Sequence, residues 1–567
     1  MTPFDPVRIL VAVVVVASVA CAAPQAGHIR FHNQPPVTEV NDRRDVPKMP
    51  EERTPRRGLT RFDVNFHKRL TRSMEMRPVT RALDVNSIDE APNSTWFTNR
   101  IGERDLSVDD IRRGPNVSGT PEAHLPFVVK SSKGAGMALG IVVEDQRGKK
   151  YILKFDLKQF PEIESSADAV SQRLLWAAGY HVPENYVVKI RREDLVLSQK
   201  SVVKDALGRK TPMTQEFLDQ MLALVHTDKD GLIRGLASLY LEGIPVGGHA
   251  RDGVRDDDPN DRIPHQQRRV LRGAYVLFSW LDLTDMKEDQ TLDMYVEDPA
   301  DPKVHYLTHH LVDFGKSLGA QAHTSRNRAL GRAHLLDPRD ISISMLTLGL
   351  WRRPWEGRTW VQGITGVGMF ESTTFHPGKW KANTPNYFPF LDVDRFDGFW
   401  GAKLMMRFTP EHIRAAVEQG RYSDPRAVEY ITRILLERQR KAAAYWFEKL
   451  APLDRFAVES RGSIVQLCFD DLGIRHQLAG KSPTETLYRF RAFDVKGRRL
   501  AWTDDKAAGA DGGYTCAIRL PVAPDADGYT IIRIETSRRG RQLPAVFVHV
   551  ARDPATRVLR VIGLRRE

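Results

Sequence analysis

The chain has 567 residues, of which 41% are hydrophobic and 28% charged. That balance excludes a chain disordered throughout and a multispanning membrane protein, and the length leaves room for several domains. The net charge is +12, but the Arg-rich clusters near Arg43, Arg56, Arg72, Arg269 and Arg539 lack interleaved aromatics, so they read as solvated surface and no nucleic-acid binding is expected.

The first 21 residues read as an export signal. Arg8 precedes the apolar run from Ile9 to Ala20, which suits a secretory h-region and is short for a membrane span. Ser18-Val19-Ala20-Cys21 resembles a bacterial lipoprotein processing site, with Cys21 as the lipidated residue and membrane anchoring through that lipid; ordinary signal-peptidase cleavage is the alternative. Residues 22–58 are polar, charged and Pro-rich and predict a flexible tether. An irregular segment, 59–126, is expected to pack on the domain after it.

Strands are predicted at Phe127 to Lys130, Gly140 to Glu144 and Lys150 to Phe155, forming a small antiparallel sheet. A helix follows, capped by Ser165 or Ser166, with Ala167, Val170, Leu174 and Ala178 at helical spacing and Gly179 and Pro183 ending it. A strand at Tyr186 to Ile190 completes a small lobe over 127–195. From 196 to 458 the pattern is mainly helical, with apolar periodicity at Met213 to Leu224, Arg268 to Leu281 and Pro425 to Leu450, and cap signatures at Thr409-Pro410 and Asp424-Pro425. After that, short alternating runs such as Thr486 to Phe493 and Tyr529 to Thr536 predict a β-sandwich-like domain over 459–567. Cys468 and Cys516 lie there and form either one disulfide or two buried thiols.

Phosphoryl transfer needs a cation on nucleotide phosphates, ligands for Mg²⁺, and a carboxylate to orient the attacking hydroxyl. Candidates for each occur in order. Gly134, Gly136 and Gly140, between two strands, let backbone N–H groups approach phosphates. Lys154 stands inside the apolar strand Tyr151-Ile152-Leu153-Lys154-Phe155, where an ammonium needs an anionic partner. Glu164 and Asp168, four apart on the next helix, are the candidate partners, with Asp168 preferred because it sits beside the apolar stripe. Leu283-Thr284-Asp285-Met286-Lys287-Glu288-Asp289-Gln290 carries D-x-K-x-x-Q: Asp285 would orient the acceptor, Lys287 would balance phosphoryl charge, and Gln290 would offer an amide oxygen to metal. Val312-Asp313-Phe314-Gly315 follows an apolar strand, with Asp313 as principal Mg²⁺ ligand.

In this order the motifs, from about Val128 to Leu450, resemble atypical, HipA-like bacterial kinases and the lipid- or protein-kinase superfamily more broadly. Val85 to Arg100, Asp256 to Gly273 and Asp285 to Gly319 also resemble an uncharacterised group of predicted bacterial lipoproteins, which reads Asn where this chain has Gln290. The resemblance implies an α+β, two-lobed protein-kinase-like fold that binds ATP or another nucleotide with Mg²⁺. It also implies transfer of the γ-phosphoryl group to an unknown protein or small-molecule acceptor, in an exported protein of the bacterial cell envelope. Asp168 in place of Glu, Leu283 in place of His and Gln290 in place of Asn point to the alternative, a catalytically inactive pseudokinase scaffold.

Two other motifs overlap this region. Gly315-Lys316-Ser317-Leu318-Gly319 fits the G-x-S-x-G nucleophile elbow and makes Ser317 a candidate hydrolase nucleophile. His305, His309 and His310 lack the Glu of a zinc-protease motif and read as surface or core histidines.

Overall fold

The computed structural model describes residues 29–54, 62, 66–74, 80–133, 139–204, 209–462, 464–478, 480–507, 513–516 and 519–567. Cys21, the apolar run before it, Gly134 and Gly136 lie outside the described residues. The chain divides into two compact units, one of Val37–Asn86 with Glu90–Lys449, the other of Leu450–Glu567 with Ser87–Asp89 and the N-terminal residues up to Pro36.

In the larger unit, β1 (Phe127–Ser132), β2 (Gly140–Glu144), β3 (Lys150–Phe155), β4 (Asn185–Ile190), β5 (Leu195–Lys204), β6 (Lys210–Pro212) and β7 (Ile233–Leu239) form one sheet in the order β4-β7-β3-β2-β1-β5-β6. Alternation decides its faces. Tyr151, Leu153 and Phe155 of β3 join Phe127, Val129, Ile141 and Val143 in a core closed by Leu218 and Leu222 of the helix Gln215–Leu222. The opposite face, where Lys154 points, is covered by α1 (Ile163–Ala178), whose Ala169 packs on Val187 and Leu236.

The sheet is larger than the small antiparallel one predicted, and β5 runs parallel to β1. β7 escaped notice because all but one of its residues are buried, so it has no period-2 signature. The α1 cap also differs. Ser165 and Ser166 lie inside the helix, and Asp156 supplies the cap from the end of β3: its Oδ1 accepts from the backbone N–H groups of Glu164 and Ser165, each at 3.0 Å. Gly179 does end the helix, at φ 128°.

A three-stranded sheet, β8 (Ile244–Pro245), β9 (Thr291–Glu297) and β10 (His305–Leu311), has β9 at its centre. The helices α2 (Arg269–Leu281), α3 (Arg395–Met405), α4 (Pro410–Glu418) and α5 (Pro425–Trp446) pack on one another, α3 and α5 against α2, and α4 against α5 and α1. Thr409 and Asp424 cap α4 and α5 as predicted. Helices α2 and α3 cross closely because both carry glycine there: a Cβ on Gly401 would stand 2.5 Å from the Gly273 carbonyl oxygen. Part of the expected tether is laid along this unit, with Val46 N donating to His305 O at 2.7 Å and Asp42 accepting from Thr95. No helix among the described residues is long and apolar enough to cross a membrane.

The smaller unit is all-β apart from short helical turns, with one sheet of Leu453–Arg461, Ile464–Asp471 and Tyr514–Cys516 and another built from Arg499–Ala507, Thr486–Asp494, Thr530–Arg538, Val546–Arg552 and Leu559–Arg566. Both sheets contribute to one core: Leu453, Leu467 and Phe469 from the first meet Tyr488, Phe490, Ile532 and Val548 from the second. Cys468 and Cys516, opposed across neighbouring strands, form a disulfide.

Candidate active site

Lys154 Nζ lies 2.8 Å from Asp313 Oδ1 and 3.4 Å from Asp168 Oδ2. Three distant segments meet here: the centre of the large sheet, the middle of α1 and the residues after β10. Burial works against the ammonium, but Asp313 and then Asp168 outweigh it and hold Lys154 above its ordinary range. Lys154 in turn holds the Asp313 carboxyl well below the usual carboxylate range. Asp168, fully buried, is pushed up by desolvation despite Lys154.

Asp168 is also a structural clamp. Its Oδ1 accepts from Asn185 Nδ2 at 2.6 Å and its Oδ2 from the Phe314 backbone N–H at 3.2 Å, so one carboxylate ties α1 to β4 and to the segment carrying Asp313. Of the two candidate helix acids it is Asp168 that meets Lys154; Glu164 pairs with Lys316.

The β9–β10 hairpin places the remaining groups. Its register pairs Thr291 with Leu311, and Val312 N donates to Gln290 O at 2.9 Å, so Gln290 and Asp313 sit at the same open end. Asp313 has φ 65°, a left-handed conformation that costs a side-chain-bearing residue about 1 kcal/mol and gathers at functional sites. Asp285 accepts from Lys287 Nζ at 2.9 Å and from Gln290 Nε2 at 3.4 Å. Gln290 Oε1 is buried without a partner among the described residues, an acceptor that a cation would satisfy. The loop is positioned from behind: Asp282, ending α2 at φ 54°, accepts from Trp380 Nε1 at 2.9 Å, and Leu283 and Met286 are buried.

No protein-family model matches this sequence, and no curated protein does. Among solved structures, the crystal structure of the Golgi casein kinase with Mn/ADP bound is similar at a TM-score of 0.23 and 10% identity, over 63% of this chain and 79% of that one. A likeness of that size decides neither the fold nor the chemistry of this chain, and only its own side chains bear on what the site can do.

Two more ammonium groups surround Lys154. Lys133, at the end of β1, is pushed down by burial and by Lys154, and it feels the charges of Asp313, Glu164 and Lys316. Lys316 reaches the same region through Glu164. Neither was singled out from sequence, although Lys133 opens the glycine cluster and Lys316 follows Gly315. Asn185 was missed as well, because a lone strand-start Asn carries no motif. Gly140 pairs directly with Lys154 in β2–β3. Its side chain would fall on the face of Lys154, and a Cβ there would stand 2.9 Å from Leu153 O, so glycine keeps space beside the ammonium.

The geometry suits a polyphosphate and a hard divalent cation. Lys133, Lys154 and Lys316 supply positive charge, while Asp313 and the orphan Gln290 oxygen supply oxygen ligands of the kind Mg²⁺ takes. Asp313 Oδ2 has no partner among the described residues, and its side chain is 41% exposed. Asp285 remains 21% exposed, within reach of an incoming hydroxyl.

Ser317 is not part of this arrangement. It is wholly buried, with its Oγ 2.7 Å from Ser171 Oγ, 2.8 Å from Phe314 O and 3.1 Å from Ala167 O. No imidazole touches it among the described residues, so the nucleophile-elbow reading is corrected: its hydroxyl secures the turn after Asp313 to α1, and it has no base to activate it.

Proposed function

We propose that this chain is a kinase-like phosphotransferase that binds ATP or another nucleotide with Mg²⁺. The observation that carries the reading is the junction of Lys154, Asp168 and Asp313, with Gln290 and Asp285 at the same end of the β9–β10 hairpin. Lys154 would contact the phosphates, Asp313 and Gln290 would hold the cation, and Asp285 would accept the proton of the acceptor hydroxyl. As the acceptor oxygen bonds to the γ-phosphorus, the bond to the β–γ bridging oxygen breaks and the nucleoside diphosphate leaves with that electron pair. The cation's chemistry, when bound, is to neutralise the phosphate oxygens; Lys287, beside Asp285, adds charge on the transferred group.

Titration calorimetry with Mg²⁺ and ATP, GTP or ADP tests the binding half. The reading requires binding that Asp313→Ala removes, and a wild type indifferent to all three nucleotides overturns it. A second reading, a catalytically inactive pseudokinase scaffold, is favoured by two contacts: the amide of Gln290 is turned to Asp285, and Asp313 spends one oxygen on Lys154. Phosphate transfer by the wild type that disappears in Asp285→Asn decides between the two.

The leader sequence supports a further part of the proposal, export to the bacterial envelope with a lipid on Cys21. Its test is metabolic labelling with a radioactive fatty acid, expected to mark the wild type and not Cys21→Ala. The two sheets of the smaller unit, with their shared core, support a sandwich-like fold there, whose role would be contact with envelope partners.

A further inference from the structure

The same hairpin and the segment beside it carry a second group of titratable side chains that the proposed chemistry does not use. Strands β9 and β10 each bring one of them, and the segment after β8 brings the third. His309 on β10 stands directly opposite Asp293 on β9 in the ladder. On the other side of β9, the segment after β8 is tied on by Val246 N donating to Asp293 O at 3.0 Å and Asp293 N donating to Gly247 O at 2.8 Å, which places His249 there.

All three are buried, His249 at 2%, Asp293 at 0% and His309 at 5% exposure. Their ligand atoms lie within 4.8 Å of one another. His309 Nδ1 is 2.8 Å from Asp293 Oδ1, and His249 Nδ1 is 3.8 Å from that oxygen. Ligands placed tetrahedrally about a zinc-sized ion are about 3.3 Å apart, from metal–ligand bonds of about 2.0–2.1 Å; the two observed separations bracket that value.

The hydrogen-bond accounting is incomplete without a further group. His249 Nδ1 and Asp293 Oδ2 are both buried with no partner among the described residues, and such orphans call for an explanation. The nearby guanidiniums do not supply it. Arg255 Nη1 is 3.8 Å from Asp293 Oδ2, but its Nε is 2.8 Å from Asp257; Arg268 Nη2 is 2.6 Å from Asp261, which also takes His265 Nε2 at 2.7 Å. Buried Asp258 and Asp261 add to Asp293, so buried carboxylates outnumber these buried guanidiniums. The surroundings have the form of support for a metal ligand: His249 Nε2 is 3.0 Å from Tyr387 Oη, which fixes the ring, and His309 is stacked on Trp96 with centroids 3.5 Å apart.

We propose that His249, Asp293 and His309 bind one divalent transition-metal ion of the zinc class, with Asp293 Oδ2 or a water in the fourth position. Two imidazoles and one carboxylate select such an ion over Mg²⁺ or Ca²⁺, which take oxygen ligands. With the hydrogen of His249 on Nε2 and shared with Tyr387, the Nδ1 lone pair faces the carboxylate. The ion's place in the fold gives it a structural role. Asp293 is three residues from Gln290 and His309 four from Asp313, so an ion pinning β9, β10 and the segment after β8 together would brace the hairpin that holds the nucleotide-site groups.

The full chain carrying Asp313→Ala, which silences the other cation site, is incubated with zinc sulfate or cobalt(II) chloride and desalted. Bound metal is then measured by plasma mass spectrometry. About one equivalent of zinc per chain is expected, with cobalt showing the intense visible absorption of a four-coordinate site. His249→Gln and His309→Gln should each lose at least nine-tenths of the metal, while His305→Gln, on the same strand face, keeps it. Retention of less than about a tenth of an equivalent, with no change in melting temperature on adding zinc or a chelator, overturns the proposal. So does metal that survives both histidine variants. If those variants fail to fold, the cobalt spectrum decides, its absence counting against the site. Nucleotide binding by the wild type is measured separately, so failure of the metal site and failure of the nucleotide reading are told apart.

Discussion

Lys154 and Asp313 are 159 residues apart in the chain and 2.8 Å apart in space. The contact closes a circuit that begins in the large sheet, passes through Asp168 on α1 and returns along the β9–β10 hairpin. Its two carboxylates differ in kind. Asp168 is 1% exposed and committed to Asn185 and the Phe314 N–H, whereas Asp313 is 41% exposed and, among the described residues, only its Oδ1 is engaged. On the proposed reading the labour is divided: Asp168 would position the lysine and Asp313 would face the ligand.

Removing the ammonium tests the circuit. Lys154→Met leaves Asp168 and Asp313 together without a cation, and breaking a buried pair in this way costs about 3 kcal/mol. Nucleotide affinity is expected to fall at least tenfold. The stability loss should shrink on acidification: burial holds Asp168 above its unfolded value, so the folded variant binds protons more readily and gains stability relative to the unfolded chain as pH falls. Urea unfolding at pH 7 and pH 5 measures both effects. A variant as stable as the wild type at pH 7 contradicts the ion triad.

Asp285 and Gln290 separate binding from transfer. Asp285→Asn keeps shape and the Lys287 neighbourhood but cannot take a proton, so Mg²⁺-ATP affinity should change less than threefold while transfer falls by about 10²–10⁴. Gln290→Leu removes the orphan oxygen and should raise the Mg²⁺ concentration needed for half-maximal binding about tenfold. Gln290→Asn, which keeps an amide oxygen, should stay near the wild type. Equal behaviour of the Leu and Asn variants argues against a ligand role for Gln290.

Much of this site was legible in the sequence because its residues lie in local patterns. A lysine inside an apolar strand, acids four apart on a helix and an acidic motif after a strand can each be read within a few residues. The order of the strands could not, since β7 inserts between β3 and β4 from beyond position 230 with no alternation to mark it. The cap of α1 was misplaced for a similar reason: Asp156 reaches its N–H groups from seven residues before the helix. His309 lacked a local partner altogether. Its counterparts, Asp293 and His249, are brought to it by strand pairing alone, and a motif scan along one segment has no means of seeing them.

The loop that carries Asp285 should also hold an acid-sensitive brace. Glu371 accepts from Thr374 N and from Arg332 Nη2, each at 2.8 Å, and Arg332, Arg358 and Arg438 converge on Asp282 just before Asp285. Burial opposes the charge on Glu371, but bonds from Thr374 and the two arginines hold its carboxyl down at about 2, against 4.5 ordinarily. A depressed carboxylate contributes stability that is complete above its unfolded value and lost as pH falls through its folded one. The shift corresponds to about 3 kcal/mol, of which about 2 should be gone by pH 3. Glu371→Gln should be less stable than the wild type at pH 6 and show a flatter dependence of the urea midpoint between pH 5 and pH 3. Parallel curves for the two proteins would falsify this role.

Asp168 is the position where kinase-like chemistry would lead one to install Glu, and the structure argues against doing so. The shorter side chain reaches Lys154 at 3.4 Å while still accepting from Asn185 and Phe314. That side chain is only 1% exposed. An added methylene must be fitted into a buried site, and overpacking there costs about 1–3 kcal/mol. Lengthening the side chain also moves the oxygens off Asn185 and the Phe314 N–H, leaving buried groups unpaired. Asp168→Glu should therefore melt lower than the wild type and bind Mg²⁺-nucleotide more weakly. Asp168→Asn, the same size, should fold more nearly like the wild type but hold Lys154 less firmly. Tighter nucleotide binding in Asp168→Glu would show that the clamp to Asn185 and Phe314 is dispensable, and that the Lys154 contact alone sets the site.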